Sequence, residues 1–95
     1  MMYLKDLGFE EDIVNLLEAN LPDNAIRSLN DNKETVINNV NCLIELGVTN
    51  YVEAFVKFYN MFLMDNDEFD EIFSKYDRED LIAKLEKNIA IMEYL

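Results

Sequence analysis

Only three residues of the chain, Gly8, Pro22 and Gly47, belong to the types that interrupt regular structure, and no segment alternates apolar with polar residues between turn signals. A chain punctuated so sparsely, with apolar residues three and four apart, buries its surface most simply as helices. The spacing predicts an all-α protein: a compact bundle of five to six short helices forming a single helical domain over residues 1–95. Met2–Leu7 is predicted as a short helix closed by Gly8, with Phe9 packing back behind the glycine. Glu10, Glu11 and Asp12 then open a helix that turns Ile13, Leu16 and Leu17 inward and ends before Pro22. A helical turn capped by Asp23 and reaching Leu29 follows.

Asp31 with Glu34, and Asn50 with Glu53, stand at capping-box spacing and predict two further helix starts. The first helix carries Val36, Ile37, Val40, Leu43 and Ile44 as one stripe, then stops at Gly47 with Val48 behind. The second, Tyr51 to Met64, is the most apolar stretch of the chain. Its polar residues Glu53, Lys57 and Asn60 make one narrow stripe, which predicts a central helix surrounded by neighbours. The aromatic and methionine surface from Phe58 to Met64 is also a candidate docking groove. After Asp65, the spacing of Phe69, Ile72, Phe73 and Tyr76 predicts a short helix. Asp77 is expected to cap the last one, which turns Leu81, Ile82, Leu85, Ile89, Met92 and Leu95 inward.

Two segments match when displaced by the distance from Tyr3 to Cys42. Leu4 falls on Leu43, Asp6 on Glu45, Leu7-Gly8 on Leu46-Gly47, and Phe9, Ile13, Leu16 and Leu17 on Val48, Val52, Phe55 and Val56. The unit is a helix end, a glycine cap and a new helix at a steep angle, so the chain can be read as two irregular helical repeats. Leu7-Gly8-Phe9, Ile13, Leu16, Leu17 and Pro22, with Leu46-Gly47-Val48 as a second copy, resemble the helical repeat of mitochondrial transcription termination factors. That resemblance implies a fold. The family's basic, nucleic-acid-binding concave surface has no counterpart, because the eight basic residues here are scattered.

Twenty Asp and Glu against eight Lys and Arg give a formal net charge of -12. Phosphate-rich partners need clustered cations, so direct contact with nucleic acid or an anionic membrane is disfavoured and a protein partner with a basic surface is favoured. Half of the excess lies in Asp65–Asp80, where Asp65, Asp67, Glu68, Asp70, Glu71, Asp77, Glu79 and Asp80 face only Lys75 and Arg78. These eight are the candidate partner-binding residues: carboxylates beside an apolar anchor can stand where phosphates would and steer the encounter. In size and charge the chain is similar to small acidic phage inhibitors such as anti-CRISPR proteins. The expected function is therefore non-catalytic inhibition of a nucleic-acid-binding protein. The alternative is a helical-repeat scaffold or regulatory subunit that binds through its aromatic surface, a role open to a homodimer.

Catalytic material is sparse. The chain has no His, so no Ser-His or Cys-His nucleophile pair can be assembled. Cys42, the single cysteine, reads as a packing residue and rules out an internal disulfide. As a calcium loop, Asp65–Tyr76 fails at Phe69, Asp70 and Tyr76, where an oxygen ligand, a glycine and a bidentate Glu belong. No cofactor or metal is expected. With no signal-like or membrane-spanning run, the expected compartment is the cytoplasm.

Overall fold

Gly8 and Gly47 make the two sharp corners of the chain. In the computed structural model, which describes Met1–Leu95 throughout, both sit at φ +94°, the left-handed region that costs a residue with a Cβ. Each closes a Schellman turn. The Phe9 N–H donates to the Leu4 carbonyl and the Gly8 N–H to Lys5, both at 3.2 Å; the Val48 N–H donates to Leu43 and the Gly47 N–H to Ile44, both at 3.0 Å. The residue after each glycine is buried, as are Leu4 and Leu43.

There is no strand: six α-helices and three 3₁₀ segments make up the fold. In order they are η1 (Met2–Leu7), α1 (Glu11–Asn20), α2 (Asp23–Asp31), α3 (Lys33–Leu46), α4 (Tyr51–Phe58), η2 (Tyr59–Leu63), α5 (Asn66–Ser74), α6 (Arg78–Lys87) and η3 (Ile89–Tyr94). These nine segments exceed the expected five to six because two of the expected helices are broken and the expected turn after Asp23 is a full helix, α2. At Phe58 (φ -132°, ψ 42°) the aromatic helix tightens into η2, and at Asn88 (φ -154°, ψ 98°) the last helix gives way to η3. The first break redirects a segment that would be apolar all round, so that Phe55 and Phe62 both reach the core. The second is stabilised by Asn88 itself, whose side chain accepts the Ala90 N–H at 3.1 Å.

Centrality belongs to α3, which packs against η1, α2, α4, η2 and α5, rather than to the aromatic segment. Its buried Val36, Val40 and Leu43 are joined by one buried polar side chain, Asn39. The Asn39 Nδ2 donates to the Phe62 and Met64 carbonyls at 2.9 and 2.8 Å, and its Oδ1 accepts from Asn66 Nδ2 at 2.8 Å. Asn66 also donates to the Thr35 carbonyl at 3.0 Å. Asn39 thus satisfies the orphan carbonyls at the end of η2 and fixes where α5 begins.

Neither expected capping box forms. α2 runs on to Asp31, and α3 starts from Asn32. The Asn50 amide donates to the Leu85 carbonyl at 3.0 Å instead of serving its own helix, and Glu53 pairs with Lys57 at 3.2 Å. Asp23 lies inside the first turn of α2 and makes no cap bond. In α1 the buried residues are Val14 and Leu17, while Leu16 is 52% exposed, so the helix is rotated away from the expected face.

A line of rings threads the core. Phe9 meets Phe55 edge-on at 5.3 Å between centroids, Phe55 meets Phe62 at 5.1 Å, Phe62 meets Phe69 at 5.3 Å, and Phe69 meets Phe73 at 4.8 Å. Such pairs add about 0.5–1.5 kcal/mol each beyond area burial. The last two rings belong to α5 and anchor the most acidic helix of the protein.

Candidate functional site

Phe69 and Phe73 turn one face of α5 into the core, and 100° per residue then sends Asp67, Glu68, Asp70 and Glu71 to solvent. All eight carboxylates of the Asp65–Asp80 run are exposed. They do different things. Asp65 caps α5 by accepting the Asp67 N–H at 3.0 Å, and Asp77 caps α6 by accepting the Asp80 N–H at 3.1 Å. Asp80 pairs with Lys84 at 2.9 Å. Asp67, Glu68, Glu71 and Glu79 have neither a cation nor a hydrogen-bond donor for their carboxylates.

The nearby cations do not neutralise this surface. Arg78 turns back to α3, where its Nε donates to the Leu46 carbonyl at 2.7 Å and its Nη2 to the Glu45 carbonyl at 3.3 Å, and Lys75 makes no ion pair. Across the molecule only Glu11, Glu18, Glu53 and Asp80 of the twenty acidic residues are ion-paired. The unpaired excess is therefore a property of the surface as well as of the composition.

Asp67 and Asp70 face α3 across a polar cleft of about 380 Å³, which Asn38, Asn41, Cys42 and Glu45 also line. Glu45 joins the acidic surface from a helix outside the run. Nothing local in the sequence places it beside α5. The Cys42 thiol donates to Asp70 Oδ1 at 3.7 Å. Burial first, and the negative charge of Asp70 second, push the thiol up to about 11, so it stays protonated near neutrality. No group of three or more Cys, Asp or Glu side chains is arranged to hold a metal ion.

The second feature is apolar. An open groove of about 530 Å³ lies where Phe58, Tyr59, Met61 and Met64 of the broken aromatic segment meet Ile72 of α5 and Met92 and Leu95 at the end of the chain. Lys57, Asn60 and Glu93 supply its polar lining. The sequence marks Phe58–Met64 as a docking surface, but it assigns Ile72, Met92 and Leu95 simply to the interior. The break at Asn88 folds η3 back against α4 and creates the opposite wall.

No protein-family model, curated protein or solved structure matches this chain. No helix is long and apolar enough to cross a membrane.

Proposed function

We propose that the protein is a non-catalytic binding module that acts in the cytoplasm by placing its acidic surface on a basic, nucleic-acid-binding surface of another protein, in the manner of an anti-CRISPR or anti-restriction inhibitor. The observation that carries this reading is the row of unpaired, exposed carboxylates Asp67, Glu68 and Glu71 on a helix held rigidly by Phe69 and Phe73. Helix-start charges alone would favour acids in the first turn, and they account for Asp65 and Asp77 as caps. They do not account for Glu71 beyond that turn, or for Glu45 across the cleft. A fixed array of negative charge raises the encounter rate with a basic partner and excludes nucleic acid from the same surface.

The test is affinity capture with the whole protein at low and at high salt, followed by competition with nucleic acid for each retained partner. Retention of nucleic-acid-binding proteins, lost at high salt and lost in Asp67→Lys/Glu68→Lys/Asp70→Lys/Glu71→Lys, is the expected result. Capture that ignores both salt and those substitutions would overturn the reading. The apolar groove favours a second reading, a regulatory subunit or scaffold that binds through Phe58, Met61 and Met64; there, groove substitutions outweigh charge reversals.

A further inference from the structure

We infer that the groove between η2, α5 and η3 receives the apolar face of a cationic amphipathic helix belonging to the partner; the inference rests on the acidic-docking reading above and states how the partner is held. The groove measures about 530 Å³, and its walls include Met61, Met64 and Met92, unbranched thioethers that repack around varied apolar anchors. Helices bind such grooves through anchors at i, i+3 or i+4, and i+7.

Charge selects the kind of helix. Lys57 at the groove is already paired with Glu53 at 3.2 Å, whereas Glu93 in the lining has no cation partner. On α5, Glu68 stands one turn before Ile72 on the same face and is exposed and unpaired. Asp65 marks the start of α5 next to Met64. Lys75 follows Ile72 on that face, so the acidic approach to the groove, outside its lining, is from the side of Met64 and Glu68. An acidic helix, or a second copy of this chain with its charge of -12, would bring like charges together here. A helix with Lys or Arg flanking its apolar stripe would pair with Glu68 and Glu93 while burying that stripe on the methionines.

The probes are a synthetic Leu/Lys amphipathic helix of about four turns, a scrambled peptide of the same composition, and a version with Glu in place of Lys. Each is titrated into the whole protein by isothermal calorimetry, with the Met methyl resonances followed by NMR. The amphipathic cationic peptide is expected to bind about tenfold or more tighter than the scrambled one, to shift the Met61 and Met64 methyls, and to lose that advantage in Ile72→Gln and in Met61→Gln. Circular dichroism establishes that both variants are folded. Equal binding of the two cationic peptides, with silent methyls, overturns the groove inference and leaves acidic docking standing. Binding of neither cationic peptide overturns both. Preference for the Glu peptide, or for a small apolar dye such as anilinonaphthalene sulfonate over every peptide, overturns the choice of occupant.

Discussion

The two glycine corners invite comparison because they are built alike and held by different means. At each, a buried leucine, a left-handed glycine and a buried apolar residue make the same Schellman turn. At each, the carbonyl just before the glycine is taken by a side chain from far along the chain: the Tyr51 hydroxyl donates to Leu7 at 2.7 Å, and Arg78 Nε donates to Leu46 at 2.7 Å. The first donor is half-buried and packs on Phe9, while the second is exposed. A short local code thus makes a corner twice, and the fold caps each corner with whatever group lies nearby. Beyond the corners the likeness ends. Leu16 is 52% exposed, whereas its match Phe55 is completely buried, because α1 lies at the edge of the core and α4 inside it.

The largest expected effect comes from Gly8→Ala. A Cβ there meets the Tyr51 hydroxyl in addition to the strain at φ +94°, so a loss of about 3 kcal/mol is expected in urea unfolding. Adding Tyr51→Phe should return part of that loss, since it removes the colliding oxygen; strictly additive costs would show that the close approach is not the cause. Gly47→Ala meets only ordinary contacts, Ile82 Cδ1 at 3.4 Å and Arg78 Nη2 at 3.5 Å. Its cost should be backbone strain alone, about 1–2 kcal/mol. If the two glycine variants lost equal stability, the distinction between the corners would collapse.

Smaller differences follow at the caps. Tyr51→Phe should cost about 1 kcal/mol whatever the salt, and Arg78→Ala about 0.5 kcal/mol or less, because Arg78 is solvated in both states. Effects that are absent at neutral pH come last, and they concern the residues that open the matched segments. Burial pushes Tyr3 up to about 12, and Cys42 is pushed up to about 11 by burial and Asp70. Both folded values lie above the ordinary 10.0 and 9.0, so the folded state holds these protons more tightly than the unfolded chain. The stability this provides is complete below pH 9 and is lost as pH rises, through about 11 for Cys42 and about 12 for Tyr3. Thermal melts should fall across that window, less steeply in Cys42→Ala. Near pH 8 the thiol should react more slowly with a disulfide reagent than an unshifted cysteine, by about tenfold or more, because the loss of thiolate outweighs the gain in nucleophilicity.

Features that depend on neighbours in sequence are legible in the sequence alone. The glycine corners, the Asp77 cap, the inward Phe69 and Phe73 and the exposed acidic run all follow from local geometry and helical periodicity. The capping-box spacing fails at Asp31 because α2 runs on through it, and at Asn50 because the side chain donates across the fold to the Leu85 carbonyl while its Oδ1 is buried without a partner. The groove is half legible: Phe58–Met64 stands out by composition, while Met92 and Leu95 reach it only because the helix breaks at Asn88 and η3 packs against α4.

By itself, then, the sequence determined an all-α chain with two glycine corners and a surplus of carboxylates that no set of eight cations could neutralise. Those properties arise from backbone conformation, helical periodicity and charge count, which act within a few residues or need no positions at all. Tertiary structure decided which helix is central, where the aromatic segment breaks, which face of α1 is buried, and that an apolar groove opens beside the acidic helix. Each of those depends on pairs such as Asn39 with Phe62 and Met64, or Asn50 with Leu85, which are distant along the chain and meet only when the core closes.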